Sequence, residues 1–179
     1  ENESYASEDA NYRAYAYQMY YNTAKGRAKL YTWDIISREY YNALFVFTKD
    51  EEKAVAKFLS KNKLDKAQND IEKIAGIDGF FKTGIELNND YDSDLLTALS
   101  GKKMNNDNAI RFYIAALKKL QIPFELGLTT KRDDMRFDSK FPSYMYAKNY
   151  VFYFPSVEKY LSPLSIYSRL GFPMPEVLG

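Results

Sequence analysis

The chain has 179 residues, 46% of them hydrophobic, and its 25 Lys and Arg against 24 Asp and Glu leave a formal net charge of +1. That size and apolar content suit one globular domain with a full core and a smaller appendage. The charges are scattered along the chain, so the basic face of a nucleic-acid or anionic-membrane binder is absent, and nucleic acid is excluded as a partner.

No cysteine and no histidine occur. Disulfides, thiolate metal sites and thiol catalysis are excluded together, and the commonest general base and metal ligand is missing. Neither a metal nor a cofactor is expected. The densest apolar run, Ala43-Leu44-Phe45-Val46-Phe47, falls far short of the roughly 20 residues of a membrane helix. The unusual excess is aromatic, with 17 Tyr and 12 Phe. Such rings fill half-buried sheet faces and cores; sugar stacking is the sharper reading of the same excess.

Residues 11 to 22 are rich in aromatic strand formers, with Arg13, Tyr15, Tyr17, Met19 and Tyr21 on one face at period two, which predicts a strand. A lone strand is not stable, so its partners are expected upstream of Glu1. Ala24 to Lys29 reads as a basic turn linking two domains. Thr32 can cap a following helix whose stripe is Trp33, Ile36, Tyr40 and Leu44.

A second helix is expected from Asp50 to Leu59, and a third from about Asp65 with Leu64, Ala67, Ile71 and Ile74 inward. From Asn106 to Leu120 the pattern changes, because Arg111 is the only charge between Ala109 and Leu117, and a helix apolar all round belongs in the core. Strands are expected at Phe124 to Thr130, Tyr144 to Phe154 and around Lys159 to Leu161, and the tail Gly171-Phe172-Pro173-Met174-Pro175 is too proline-rich for regular structure. Helices followed by antiparallel strands make the fold class α+β.

Chemistry is thinly marked. Asp90-Tyr91-Asp92-Ser93-Asp94 copies the opening of a calcium loop, but its sixth position is Leu95 and its twelfth Gly101, where that loop needs Gly and Glu. Capping of a helix by Asp92 or Ser93 is the better reading. Glu125, Asp133, Asp134 and Asp138 lie close in sequence, as a carboxylate-dependent hydrolase acting on carbohydrate would need, and also as a solvated hairpin would show. Ser60-Lys61-Asn62-Lys63 reads as a polar loop rather than a Ser-Lys dyad, and no Gly-x-Ser-x-Gly elbow occurs.

The order of a tyrosine-rich strand, Thr32-Trp33-Asp34, helices, one buried helix, three aromatic strands and a Gly-Phe-Pro-Met-Pro tail resembles exported bacterial proteins with a transglutaminase-like domain. The resemblance covers nearly the whole chain. It implies a papain-like core in which a buried central helix packs on a small antiparallel sheet. Residues 1–30 would be strand and linker from an upstream β-sandwich domain, and 31–179 the transglutaminase-like domain. Both ends read as cut from a longer polypeptide.

In active members of that family a Gly-Asp-Cys segment opens the buried helix. Counting back from Gln121-Ile122-Pro123 places the cysteine position on Asn106, while the histidine position falls on Tyr150 and the orienting acid on Ser162. Cys, His and Asp act as a unit, so the resemblance implies vestigial triad positions at Asn106, Tyr150 and Ser162 and no enzyme activity. A pseudoenzyme serving binding or scaffolding in the bacterial envelope is expected, exported to the periplasm or cell surface. Its partners would be a glycan, a cell-wall peptide, another protein domain, or neighbouring β domains of the same polypeptide.

Overall fold

A computed structural model of the chain describes residues 18, 21–22, 24, 28–29, 31–130 and 137–174. Among them are five α-helices and three small sheets, so the fold is α+β. Most of the predicted strand at 11–22 lies outside the described residues; its last part, β1 (Tyr21–Asn22), pairs antiparallel with β2 (Ala28–Lys29). The end of the segment read as a basic turn, Ala28–Lys29, is thus one strand of a β pair.

Helix α1 (Trp33–Phe45) starts where Thr32 accepts the Ile35 N–H at 3.2 Å, and it buries Ile36 and Leu44. Helix α2 (Lys49–Lys61) opens with a reciprocal cap: Thr48 Oγ1 accepts from the Glu51 N–H at 3.2 Å, and the Glu51 carboxylate accepts from the Thr48 N–H at 2.8 Å. Its inner face carries Val55 and Leu59.

Helix α3 (Asp70–Gly84) begins five residues later than the sequence pattern suggested. Residues 62–65 form a turn after α2, with Lys63 left-handed at φ 56°. The helix waits for Asn69, whose side chain accepts the Glu72 N–H at 2.9 Å. The inner face is therefore Ile74, Ile77, Asp78 and Phe81, and Ile71 is exposed. Gly76 and Gly79 remain inside the helix, held by packing against a buried stripe rather than by propensity.

Short strands β3 (Glu86–Leu87) and β4 (Lys103–Met104) pair in parallel across helix α4 (Leu95–Gly101). The cap of α4 is Asp94, which accepts the Thr97 N–H at 2.7 Å, and not Asp92 or Ser93. Lys102 ends α4 in the left-handed region at φ 53°.

Helix α5 (Asn106–Lys119) is the hub, as its apolar circumference requires. Its residues from Asn108 to Leu117 are buried except Arg111. All four other helices pack on it. Arg111 is anchored on three sides: Nη1 donates to the carbonyls of Ala43 and Val46 at 2.7 and 3.1 Å, Nη2 pairs with Glu51 at 2.6 Å, and the guanidinium lies 4.8 Å from the Phe47 ring. One charged residue thereby ties the end of α1 and the start of α2 to the central helix.

On the remaining side of α5 lies an antiparallel sheet, β5 (Glu125–Thr129), β6 (Asn149–Phe154) and β7 (Lys159–Leu161), in that order. Phe152 meets Tyr113 of α5 at 5.8 Å and Phe124 at 5.5 Å between ring centroids. The strand expected from Tyr144 starts only at Asn149; Tyr144–Tyr146 is a turn of 3-10 helix, opened by Ser143 accepting the Met145 N–H. That turn sets the Tyr146 ring beside Trp33 and Phe137.

One polar group crosses the core. Asp78 on α3 is 2% exposed and accepts from the Tyr113 hydroxyl at 2.9 Å and from Lys82 Nζ at 2.7 Å; the Lys82 side chain is 4% exposed. Lys82 also donates to the Ser168 carbonyl at 2.6 Å, which fastens the segment after β7 onto α3.

Candidate functional site

The start of α5 is built by its neighbours in the fold. The β3 and β4 pairing brings residues 88 and 89 alongside 105 and 106, with the Asn88 N–H donating to the Met104 carbonyl at 2.8 Å. Asn105, not Asn106, is the helix cap: its side chain accepts the Asn108 N–H at 2.9 Å. Asn106 is the first helical residue, and its N–H donates to Asn89 Oδ1 at 3.2 Å. The buried Asn108 side chain donates to the Ser93 carbonyl at 2.7 Å. Two of the backbone donors that would otherwise face an anion are therefore occupied by asparagine side chains.

Strand β6 carries Tyr150 over this helix start, where its hydroxyl donates to Asp107 Oδ1 at 3.4 Å. Burial, and then the negative charge of Asp107, push the Tyr150 phenol well above its ordinary range. Tyr40 reaches the same place from α1, donating to the Ala147 carbonyl at 3.3 Å, and burial followed by Asp107 raises its phenol too. Both rings stay protonated at neutral pH. The site holds asparagine amides, one carboxylate and two neutral phenols, with no thiol and no imidazole in the chain.

Of the three positions singled out by sequence, Asn106 is the first residue of α5, and Tyr150 reaches the same helix turn through Asp107, the residue that follows Asn106. Ser162 is employed elsewhere. Its hydroxyl accepts the Met174 N–H at 3.3 Å, its N–H donates to Ser168 Oγ at 3.1 Å, and its carbonyl accepts from the Ser165 N–H. Its polar partners among the described residues all belong to the loop after β7.

Sequence reasoning passed over Tyr40, Asn89 and Asp107. Asp107 follows Asn106 directly, so the signal for it was present; Tyr40 was read only as part of the α1 stripe, and Asn89 depends on the parallel pairing, which spacing does not disclose.

The other sequence candidates separate. Glu125 is exposed on β5, and Asp138 turns its carboxylate to the Lys140 N–H at 2.8 Å. Asp133 and Asp134 lie outside the described residues. Asp94 is the cap of α4, and among the described residues no group of three or more Asp or Glu is placed to hold a metal ion. Ser60 and Lys61 are exposed at the end of α2.

No family model, no curated protein and no solved structure matches this chain.

Proposed function

We propose that the chain is a non-catalytic, transglutaminase-like module, kept for binding or scaffolding in an exported bacterial multidomain protein of the periplasm or cell surface. The observation that carries this reading is the chemistry at the start of α5. Asn106 occupies the position assigned to a thiol, and the residue brought to that helix turn from β6 is Tyr150, a phenol that burial and Asp107 keep protonated.

Acyl transfer needs a nucleophile, a base that takes its proton, and donors for the oxyanion. An asparagine amide is not a nucleophile at neutral pH, a protonated phenol is not a base, and the Asn106 and Asn108 N–H groups are already bound. What this arrangement does well is present Asn89, Asn106 and Asp107 at a helix start backed by the buried Tyr150, polar groups suited to hydrogen bonding with a glycan, a cell-wall peptide or a neighbouring protein domain.

The test has two parts. The purified chain is incubated with amide, ester and glycan substrates, and it is passed over immobilised peptidoglycan and glycans. The reading expects no turnover and retention that weakens on Asp107→Ala, an exposed member of the site, with the melting temperature retained. Turnover that follows the protein through purification and is lost on Tyr150→Phe or Asp107→Asn would overturn it.

A further inference from the structure

A second feature lies where α3 meets β7 and the segment after it. Between them opens a solvent-facing cavity of about 330 Å³. Its apolar wall is one face of α3, formed by Ile71, Ala75 and Gly79, with Leu170 facing them. Ala75 and Gly79 are small, which is why the wall recedes there. Ile71 is 46% exposed, an uncovered apolar side chain at the edge of the cavity.

The polar end of the cavity is cationic. Lys159 and Arg169 line it, and among the described residues no carboxylate lies within 4.0 Å of either. Arg169 is held in place, its Nη1 donating to the carbonyls of Ile166 and Ser168 at 2.7 and 2.6 Å. Lys159 lies over Gly171, whose φ of 83° and missing side chain leave space for it; a Cβ there would stand 3.3 Å from Lys159 Nζ. The Gly171 N–H in turn donates to the Tyr160 carbonyl at 2.8 Å, which fixes this loop against β7.

The third wall residue, Asp78, does not neutralise this end. Its carboxylate is already shared between the Lys82 ammonium and the Tyr113 hydroxyl. Lys159 and Arg169 are thus left without a carboxylate within 4.0 Å among the described residues, and an anion is the missing partner. Two cationic side chains and a small aliphatic wall lining one cavity match a ligand with a carboxylate on a short branched chain.

We propose that this cavity binds an aliphatic carboxylate, with Lys159 and Arg169 taking the carboxylate and Ile71, Ala75, Gly79 and Leu170 taking the chain. The site is separate from the start of α5, and the proposal stands whether or not that region is a vestigial acyl-transfer centre. Two sources share the chemistry: a free branched acid, and the C-terminus of a peptide ending in an aliphatic residue.

The experiment uses the full chain, ¹⁵N-labelled, titrated with 4-methylpentanoate, its neutral amide 4-methylpentanamide, and N-acetyl-Ala-Ala-Leu as free acid and as amide. Each acid should shift the amide resonances of Ile71, Ala75, Gly79 and Leu170, and each amide should bind at least tenfold more weakly. The tighter acid identifies the source. Lys159→Gln should weaken the acids by fivefold or more, and Ala75→Leu, a substitution at an exposed helical position that fills the wall, should abolish binding with the melting temperature retained. Arg169→Gln removes two backbone contacts as well as charge, so Lys159→Gln decides if that variant fails to fold. Equal binding of acid and amide, shifts confined to other residues, or acid binding unchanged in Ala75→Leu would each overturn the proposal.

Discussion

Asp78→Asn is the most informative single perturbation of the core. The substitution conserves volume and keeps an amide oxygen that can accept from Lys82, but it removes the negative charge and leaves the Lys82 ammonium, its side chain 4% exposed, without a carboxylate within 4.0 Å among the described residues. Removing one member of a buried ion pair leaves an uncompensated charge and costs about 3–5 kcal/mol. For a chain of this size that corresponds to a fall in melting temperature of roughly 6–20 °C.

The penalty has a pH signature. Burial already lowers the Lys82 pKa, against the opposing pull of Asp78, and without the Asp78 charge it falls further. On the alkaline limb, below the tyrosine range of about 10, the unfolded state then binds more protons than the folded state. Stability of the variant should therefore rise with pH there. The triple variant Asp78→Leu, Lys82→Met, Tyr113→Phe removes all three polar groups together and should recover most of the loss, because a well-packed apolar replacement of a buried pair is near neutral or better. Urea unfolding at several pH values measures both effects. A single-variant loss below about 1 kcal/mol would refute the burial argument, and a triple variant no more stable than the single would refute the desolvation argument.

Two further expectations concern α2. Thr48→Ala breaks the reciprocal cap in which Thr48 and Glu51 each satisfy the other's N–H and should cost about 1 kcal/mol, read by thermal or chemical melting. Burial opposes ionisation of Glu51, but the Thr48 N–H and the Arg111 guanidinium outweigh it and hold its carboxyl below the ordinary range. Its stabilising contribution is complete above the unfolded glutamate value of about 4.3 and is lost as pH falls through the lower folded value. Glu51→Gln should flatten that acid limb in pH-dependent melting; an unchanged limb would exclude Glu51 as its source.

Much of the scaffold was legible because local chemistry and tertiary packing agree. Thr32 and the Trp33, Ile36, Tyr40, Leu44 stripe marked α1, and the single charge of Arg111 among apolar residues marked α5 as the buried hub. Where they disagree, the reading slipped. Asp65 looked like a helix start because Leu64 and Ala67 continue the α3 spacing, yet Lys63 adopts a left-handed conformation and Asn69 supplies the cap.

The buried Asp78 and Lys82 pair shows a subtler miss. At i, i+4 they resemble a surface ion pair, but Asp78 falls between Ile77 and Phe81 in the inner stripe of α3, a signal that was available. Its partners Tyr113 and Ser168 lie far along the chain, and no local spacing reveals them. The helix start of the candidate site was located by counting back from Pro123, whereas the occupation of its N–H groups by Asn89 and Asn105 rests on the β3 and β4 pairing.

The central claim is that the start of α5 is an emptied acyl-transfer centre, with Asn106 and Tyr150 in the places of nucleophile and base. Its most direct test is the thiol pKa of Asn106→Cys alone and combined with Tyr150→His, from the pH dependence of alkylation. If the two positions converge, an imidazolium beside the thiolate stabilises it, and the double variant should titrate at least about one unit lower than the single, reacting faster near neutral pH. Equal pKa values in the two variants would place the side chains apart and contradict the account.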